Sequence, residues 1–206
     1  MATRQYTSGN LKRKSDFCVT YIPAKSGKII TTIHSKTAVL HGSKLHDICS
    51  TTLSDLHISY GRLEVTDTGG QYFVLKARIE AVVKAANPKA VAESLPEFKK
   101  HAHYKSREDR FRRSRLYLPG NQAKLMLNAG IHKPDAIILD LEDSVALAEK
   151  NTARLIVRNA LRTLDFFGAE RMVRINQGKL MLNVGIHKPD AIILDLEDSV
   201  APSEKN

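Results

Sequence analysis

The stretch DAIILDLEDSV occupies residues 135–145 and recurs, letter for letter, at residues 190–200. Its first half, AIILDL, is apolar nearly throughout, as a strand covered on both faces of a parallel sheet must be. Its second half places Asp140, Glu142 and Asp143 at and just beyond the end of that strand. Working outward, SRLYLPG (114–120) reads as a strand and NQAKLMLNAG (121–130) as a short helix. Downstream, SVALAEKNTARLIVRNALRTL (144–164) reads as a helix with Val145, Leu147, Ile156, Val157, Ala160, Leu161 and Leu164 as its apolar positions. The strand RMVRIN (171–176) follows. Strands alternating with helices imply a parallel sheet with helices on its faces, so the fold class is α/β.

In such a sheet the carboxyl ends of the strands face the ligand, whether the sheet is open or closed into a barrel. Asp140, Glu142, Asp143, Arg174 and Asn176 all fall at that end. Carboxylates there suit a divalent cation, and a guanidinium suits a substrate carboxylate through paired donors. The same acids also suit a purely structural role, with Asp143 or Ser144 capping the helix that begins at Val145. Spacing leaves both readings open.

Upstream of the basic run KKHAHYKSREDRFRRSR (99–115) the grammar differs. DFCVTYI (16–22) and KIITTIHS (28–35) alternate like strands, and PAKSG between them supplies hairpin chemistry. SKLHDICSTTLSDL (43–56) carries Leu45, Ile48, Thr52, Leu53 and Leu56 at helical spacing, with Ser43 as its expected N-cap. HISYGRLEVTD (57–67) alternates again. After the DTGG turn (67–70), Leu75, Ile79, Val82 and Val83 form one stripe of a helix that ends before Pro88. The first module therefore reads β-β-α-β-α. Pro88 and Pro96 punctuate the way to the basic run, which reads as a solvated linker helix.

With 206 residues, 42% of them hydrophobic, the chain can bury a real core. No stretch approaches the roughly 18 apolar residues of a membrane span, and the start lacks the apolar run of a signal peptide, so no membrane partner and a cytoplasmic location are expected. Cys18 and Cys49 form no CxxC pair and are expected as reduced thiols. The net charge of +10 suits a polyanionic partner. A nucleic acid is disfavoured, because only Tyr104 and Phe111 in the basic run can stack on bases. His101 and His103 lack carboxylate or thiolate neighbours in sequence and read as exposed linker rather than metal ligands.

RSRLYLPGN, AIILDLEDSVALAEKNTAR and RMVRIN, in that order, resemble the opening strands of the citrate lyase beta subunit and its relatives, the HpcH/HpaI aldolase/citrate lyase family. TLSDLHISYGRLEVTDTGGQYFVLKARIEAVVKAA (52–86) resembles the citrate lyase gamma subunit, an acyl carrier similar to that of malonate decarboxylase. The resemblance implies an α+β carrier-like domain over 1–92, a basic linker over 93–113, and a TIM-barrel-like run of parallel βα units over 114–206. It implies a carbon–carbon lyase that cleaves a citryl thioester, or a related 3-hydroxyacyl thioester, to oxaloacetate and acetyl thioester. An alpha-type acyltransferase subunit is the implied partner. Mg²⁺ is the implied metal, with its family ligands on later strands, and Arg174 grips a substrate carboxylate beside Asp143 and Glu142. The implied carrier cofactor is a phosphoribosyl-dephospho-CoA group, a phosphopantetheine-containing arm, on a serine. Carriers of this family read Gly-Thr-Leu-Glu-Ser-x-Asp there. This chain reads GNLKRKSD, which puts Lys14 at the serine position when Asp16 is aligned and leaves Ser15, one place later, as the expected attachment point.

The repeat extends beyond its core: residues 121–151 and 176–206 differ at four of 31 positions. Natural repeat units usually diverge further and come in larger numbers, so the pair reads as a recent duplication or a misjoined sequence. A TIM barrel takes about 250 residues, and Arg112 to Asn206 supplies less than half of that. A truncated barrel, little lyase activity in the isolated chain, and self-association through an open sheet edge are therefore expected. The alternative is a non-enzymatic acyl carrier joined to a vestigial lyase fragment.

Overall fold

A computed structural model describes residues 4–175 and 189–194, and the chain divides into two units, Met1–Pro96 and Glu97–Asn206. Of the repeat's second copy, only residues 189–194 fall among those described.

The first unit is a four-stranded sheet with two helices. Its strands are β1 (Tyr6–Ser8), β2 (Phe17–Pro23), β3 (Ile29–His34) and β4 (Gly61–Asp67), in the spatial order β1-β2-β4-β3. The helices are α1 (Ala38–Asp55) and α2 (Tyr72–Ala86). Alternation in β2 and β4 sends Phe17, Val19, Tyr21, Leu63 and Val65 into the core with Leu45, Ile48, Leu53, Val74, Ile79 and Val83. Each such side chain contributes about 1.5–3 kcal/mol by leaving water. Cys49 lies fully buried in this core, and burial pushes its thiol up to about 12. At pH 8 Cys49 in the folded chain should therefore react with a thiol reagent on the order of a thousandfold more slowly than a free cysteine. Timed labelling with and without denaturant checks this.

Three expectations for this unit need correction. β2 and β3 do not form a hairpin: β4 lies between them, antiparallel to β2 and parallel to β3. The physical reason is burial on β4, whose Leu63 and Val65 are fully enclosed, whereas every other residue of β3 is exposed, as on an edge strand. β1 carries too few residues to show periodicity and was not anticipated. Ser43 is no N-cap, because α1 begins at Ala38 with Thr37 at the cap position. Ser35 fixes that entry by bridging Thr37 and Asp67. The added helical turn exposes Val39 and Leu40, so an apolar stripe had no means of revealing it.

The second unit carries β5 (Arg115–Pro119), α3 (Ala123–Ala129), β6 (Ala136–Asp140), α4 (Lys150–Thr163), β7 (Glu170–Ile175) and β8 (Ala191–Leu194). Among the described residues the four strands are parallel in the order β5-β6-β7-β8 and close no barrel. β6 is buried along its whole length, as its composition requires. β8 is the repeated AIIL. Its Ala191, the copy of Ala136, pairs with Met172, while Ala136 itself pairs with Glu170, so the second copy sits two residues further along β7. Such stagger accompanies tilted strands in barrel-like sheets.

The repeat also duplicates a joint. Asp135, just before β6, accepts hydrogen bonds from the backbone N–H groups of Arg113 and Ser114 and from the Ser114 hydroxyl. Those donors, the Ser114 backbone first, hold its carboxyl below the usual range. Asp190, just before β8, likewise accepts from the backbone N–H groups of Arg171 and Ser106.

The basic run is not a solvated helix. Only Lys100–Ala102 make a 3-10 turn, and the remaining residues to Ser114 are irregular. Tyr104 donates to the Ala169 carbonyl, Arg110 to the Gly168 carbonyl, and Arg112 to both oxygens of Glu170. A buried glutamate and free carbonyls at the start of β7 thus take up charge that the sequence presents as a free basic face.

Candidate functional sites

At the carboxyl end of the second sheet, β6 ends at Asp140 level with Arg174 of β7. Gly120 follows β5 and donates its N–H to the Asp140 carbonyl at 2.7 Å. A Cβ at Gly120 would lie 2.8 Å from that oxygen and 2.6 Å from Leu141, so only glycine permits this approach. Beyond β6 the chain turns sharply: Asp140 accepts from the Glu142 N–H at 2.9 Å and from the Ser144 N–H at 3.2 Å. This turn replaces the first helical turns expected from Val145. α4 starts only at Lys150, so neither Asp143 nor Ser144 caps it, and Leu147 lies 84% exposed instead of on the buried stripe.

Arg174 converges on all three acids. Its Nη2 lies 2.8 Å from Asp143 and 2.9 Å from Glu142, and its Nη1 3.7 Å from Asp140. The contact with Glu142 is ionic without hydrogen-bond alignment, since Glu142 Oε2 has no hydrogen-bond partner. Burial pushes the Glu142 carboxyl upward, and its contact with Asp143 adds to that shift, while Arg174 opposes it. Asp140 and Glu142 are buried, whereas Asp143 is open to solvent. Asn121, which the sequence reading passed over, donates to Glu149 beside this rim. The signal for it was its place directly after a strand-ending Pro-Gly pair. Asn176 lies outside the described residues.

The carboxylates do not fit a metal centre as they stand. Among the described residues no group of three His, Cys, Asp or Glu side chains is arranged to hold a metal ion, and Asp140 is used by backbone donors. The rim is therefore a guanidinium held by acids. His101 Nε2 meets the Thr163 carbonyl, and His103 packs edge-on against Phe98. A cavity of about 690 Å³ does lie in this unit, lined by Arg112, Glu170, Arg171 and Asp190, but it opens at the opposite, amino end of the strands.

In the first unit, Ser15 sits in the turn between β1 and β2, half-buried, with Lys14 exposed beside it. Ser15 adopts a left-handed φ of 60° and donates its N–H to the Thr68 carbonyl. Gly9, at φ 101°, opens the turn, where a Cβ would lie 2.0 Å from the Phe17 carbonyl oxygen. Beneath the turn, Arg78 reaches both oxygens of Asp16, at 3.1 and 2.7 Å, and the Ser8 hydroxyl at 3.2 Å. Arg78 escaped the sequence reading because it interrupts the apolar stripe of α2 with a charge. Lys12, Arg13 and Lys14 fit a phosphodiester by charge, and a serine hydroxyl between them and Asp16 fits the attachment of a nucleotide-derived arm. Such an arm, when bound, would supply the thiol that carries an acyl group.

Comparison with known proteins matches residues 3–86 to the malonate decarboxylase delta subunit family and residues 113–183 to the HpcH/HpaI aldolase/citrate lyase family. The two family matches fall on different units of one chain. The order, carrier type first and lyase type second, is the one the motifs implied. Citrate lyase subunit beta of Leuconostoc mesenteroides subsp. cremoris is 47% identical over 68 residues, covering 33% of this chain and 22% of that protein. Its counterpart in Escherichia coli (strain K12) is 45% identical over 75 residues, 36% of this chain and 25% of its own length. A (3S)-malyl-CoA thioesterase of Cereibacter sphaeroides (strain ATCC 17029 / ATH 2.4.9) is 44% identical over 64 residues, 31% of this chain and 22% of that protein. The chain thus spans about a quarter of the length of these curated relatives. No helix among the described residues is long and apolar enough to cross a membrane.

Proposed function

We propose that the first unit is an acyl carrier loaded at Ser15 and that the second supplies the carboxylate-gripping rim of a carbon–carbon lyase acting on the carried thioester. The observation that carries this reading is the Ser15 turn: a serine flanked by three cations and anchored by the buried Asp16–Arg78 pair, in a unit that matches a carrier family. The prosthetic group is of the phosphoribosyl-dephospho-CoA class. The substrate is a citryl or related 3-hydroxyacyl thioester, delivered with the help of an alpha-type acyltransferase subunit. Arg174 would hold a substrate carboxylate through paired N–H donors, with Asp143, the exposed acid, giving way first. Asp140 and Glu142 position the guanidinium from below.

A carrier without lyase turnover is the second reading. It is favoured by the charge balance of the rim, where two acids within 3 Å of Arg174 compete with any incoming carboxylate. Intact-mass analysis of the chain, made in a host that synthesises the prosthetic group, tests the proposal. A single adduct is expected on the wild-type chain and none on Ser15→Ala; an unmodified wild-type chain would sink the carrier assignment. An adduct without turnover of citryl thioester selects the second reading.

A further inference from the structure

The β2–β4 ladder ends at the pair Phe17 and Asp67, and the bonding just past it is uneven. Thr68 donates its N–H to the Asp16 carbonyl at 3.1 Å, yet its own carbonyl takes the N–H of Ser15, one residue earlier, at 3.0 Å. Two residues, Ser15 and Asp16, thus face one, which is a β-bulge whose first member, Ser15, has φ 60°. That left-handed position ordinarily belongs to glycine, because a Cβ there crowds the backbone. Gly9, at the other end of the same turn, obeys the preference, and Ser15 does not. Glycine would serve the fold better in such a bulge, so the strain points to a use for the serine side chain. Thr68 adds a second bond, its hydroxyl donating to the same Asp16 carbonyl at 2.7 Å. The turn that carries Thr68 is fixed independently: Asp67 accepts from the N–H groups of Gly69 and Gly70 at 2.7 and 3.2 Å and from the Ser35 hydroxyl at 2.7 Å.

We infer that Thr68 is a positioning residue for the loading of Ser15, its hydroxyl locking the bulge that presents the serine oxygen to a loading enzyme; this rests on the carrier reading above. Loading joins the Ser15 oxygen to a phosphorus of an arm donor activated as a phosphoric anhydride. The anhydride bond of that phosphorus breaks, its phosphate leaving group departs, and the hydroxyl proton passes to a base on the loading enzyme. Displacement at phosphorus needs the attacking oxygen in line with the departing one, so the rate depends on where the serine oxygen is held. Asp16 transmits that placement. Its carboxylate is held by Arg78 and its carbonyl twice by Thr68, so the residue joined directly to it has little freedom to turn. Re-aiming a side chain beside a functional site is a common use of a β-bulge.

Time courses of adduct formation on the full chain, followed by intact mass in a host that makes the prosthetic group, test this alongside urea denaturation. Thr68→Val keeps both backbone bonds and loses only the hydroxyl, so it should fold and load on the order of tenfold more slowly than wild type. Thr68→Ser restores a hydroxyl and should load at close to the wild-type rate. Ser15→Gly should show a higher urea midpoint than Ser15→Ala, since neither carries the hydroxyl and only glycine relieves the left-handed backbone. Equal loading of wild type and Thr68→Val, a Thr68→Ser no faster than Thr68→Val, or loading that merely tracks the urea midpoint across these variants would each overturn the inference and leave the carrier reading standing. So would a Ser15→Ala midpoint at or above that of Ser15→Gly. A wild-type chain that takes no adduct removes the carrier reading itself, and the inference with it. If Thr68→Val fails to fold, Thr68→Ala compared with Thr68→Ser decides it.

Discussion

Replacing Arg78 by methionine is expected to destabilise the first unit by about 3–5 kcal/mol, the usual cost of removing one partner from a buried ion pair. Arg78 and Asp16 are 2% and 4% exposed. The guanidinium serves both carboxylate oxygens and the Ser8 hydroxyl, so the truncation leaves the Asp16 charge without its counterion and removes one hydrogen bond from Ser8. The Phe17 N–H still reaches Asp16, which limits the loss. Because a small domain is stable by only about 5–15 kcal/mol, the urea midpoint should fall steeply. Combining it with Asp16→Asn should recover part of the loss, since the deficit lies in the orphaned charge more than in the pair. If Arg78→Met shifts the midpoint no further than an exposed Lys14→Ala control, the pair does not hold this unit together. The same pair underlies the Ser15 turn, so Arg78→Met should also lower the fraction of chain carrying the adduct.

Arg171→Met is the counterpart in the second unit, with an expected loss of similar size, about 3–5 kcal/mol. Its Nε and Nη2 bind Asp190, its Nη1 binds the Ala102 carbonyl at 2.7 Å, and its Nη2 binds the Tyr104 carbonyl at 2.7 Å. The guanidinium also stacks 4.1 Å from the centre of the Tyr104 ring. One side chain thereby ties the basic arm and β8 to β7, and its removal takes a donor from two carbonyls and the counterion from Asp190, whose bonds from the backbone N–H groups of Arg171 and Ser106 limit the loss. Burial of the same region pushes the Tyr104 phenol up to about 12. Protease cleavage within residues 99–112 should accelerate in the variant, along with a lowered denaturation midpoint. Arg112→Met, at a more exposed pair with Glu170, should lose less. Equal losses in the two variants would contradict the assigned role of Arg171.

Much of this architecture is legible in local pattern. AIILD has no polar residue before its last position, so it belongs inside a parallel sheet, and the acids that follow it fall at the ligand-facing rim. Leu75, Ile79, Val82 and Val83 write the buried face of α2 in the same way. The errors arose where a local signal competes with a distant partner. PAKSG has turn chemistry, yet β4, 38 residues further on, takes the place beside β2. SVALAEK has helix formers, yet the Asp140 carboxylate binds the N–H groups of Glu142 and Ser144 and holds that segment in a turn. The run of cations before β5 looks solvated because its partners, Glu170 and the carbonyls of residues 168 and 169, lie more than 55 residues away.

By itself the sequence determined the two modules, the parallel βα order of the second, and the place of Asp140, Glu142, Asp143 and Arg174 at the carboxyl ends of its strands. Each rests on periodicity, composition or a motif, which are properties of neighbours in the chain. Tertiary structure alone decided that β4 separates β2 from β3, that Arg78 underpins the Ser15 turn, that the basic arm packs on β7, and that the repeated AIIL serves as a fourth strand. Those outcomes depend on which buried charge or unpaired strand edge finds a partner far along the chain. Burial raises the cost of leaving such groups unsatisfied far above any local preference.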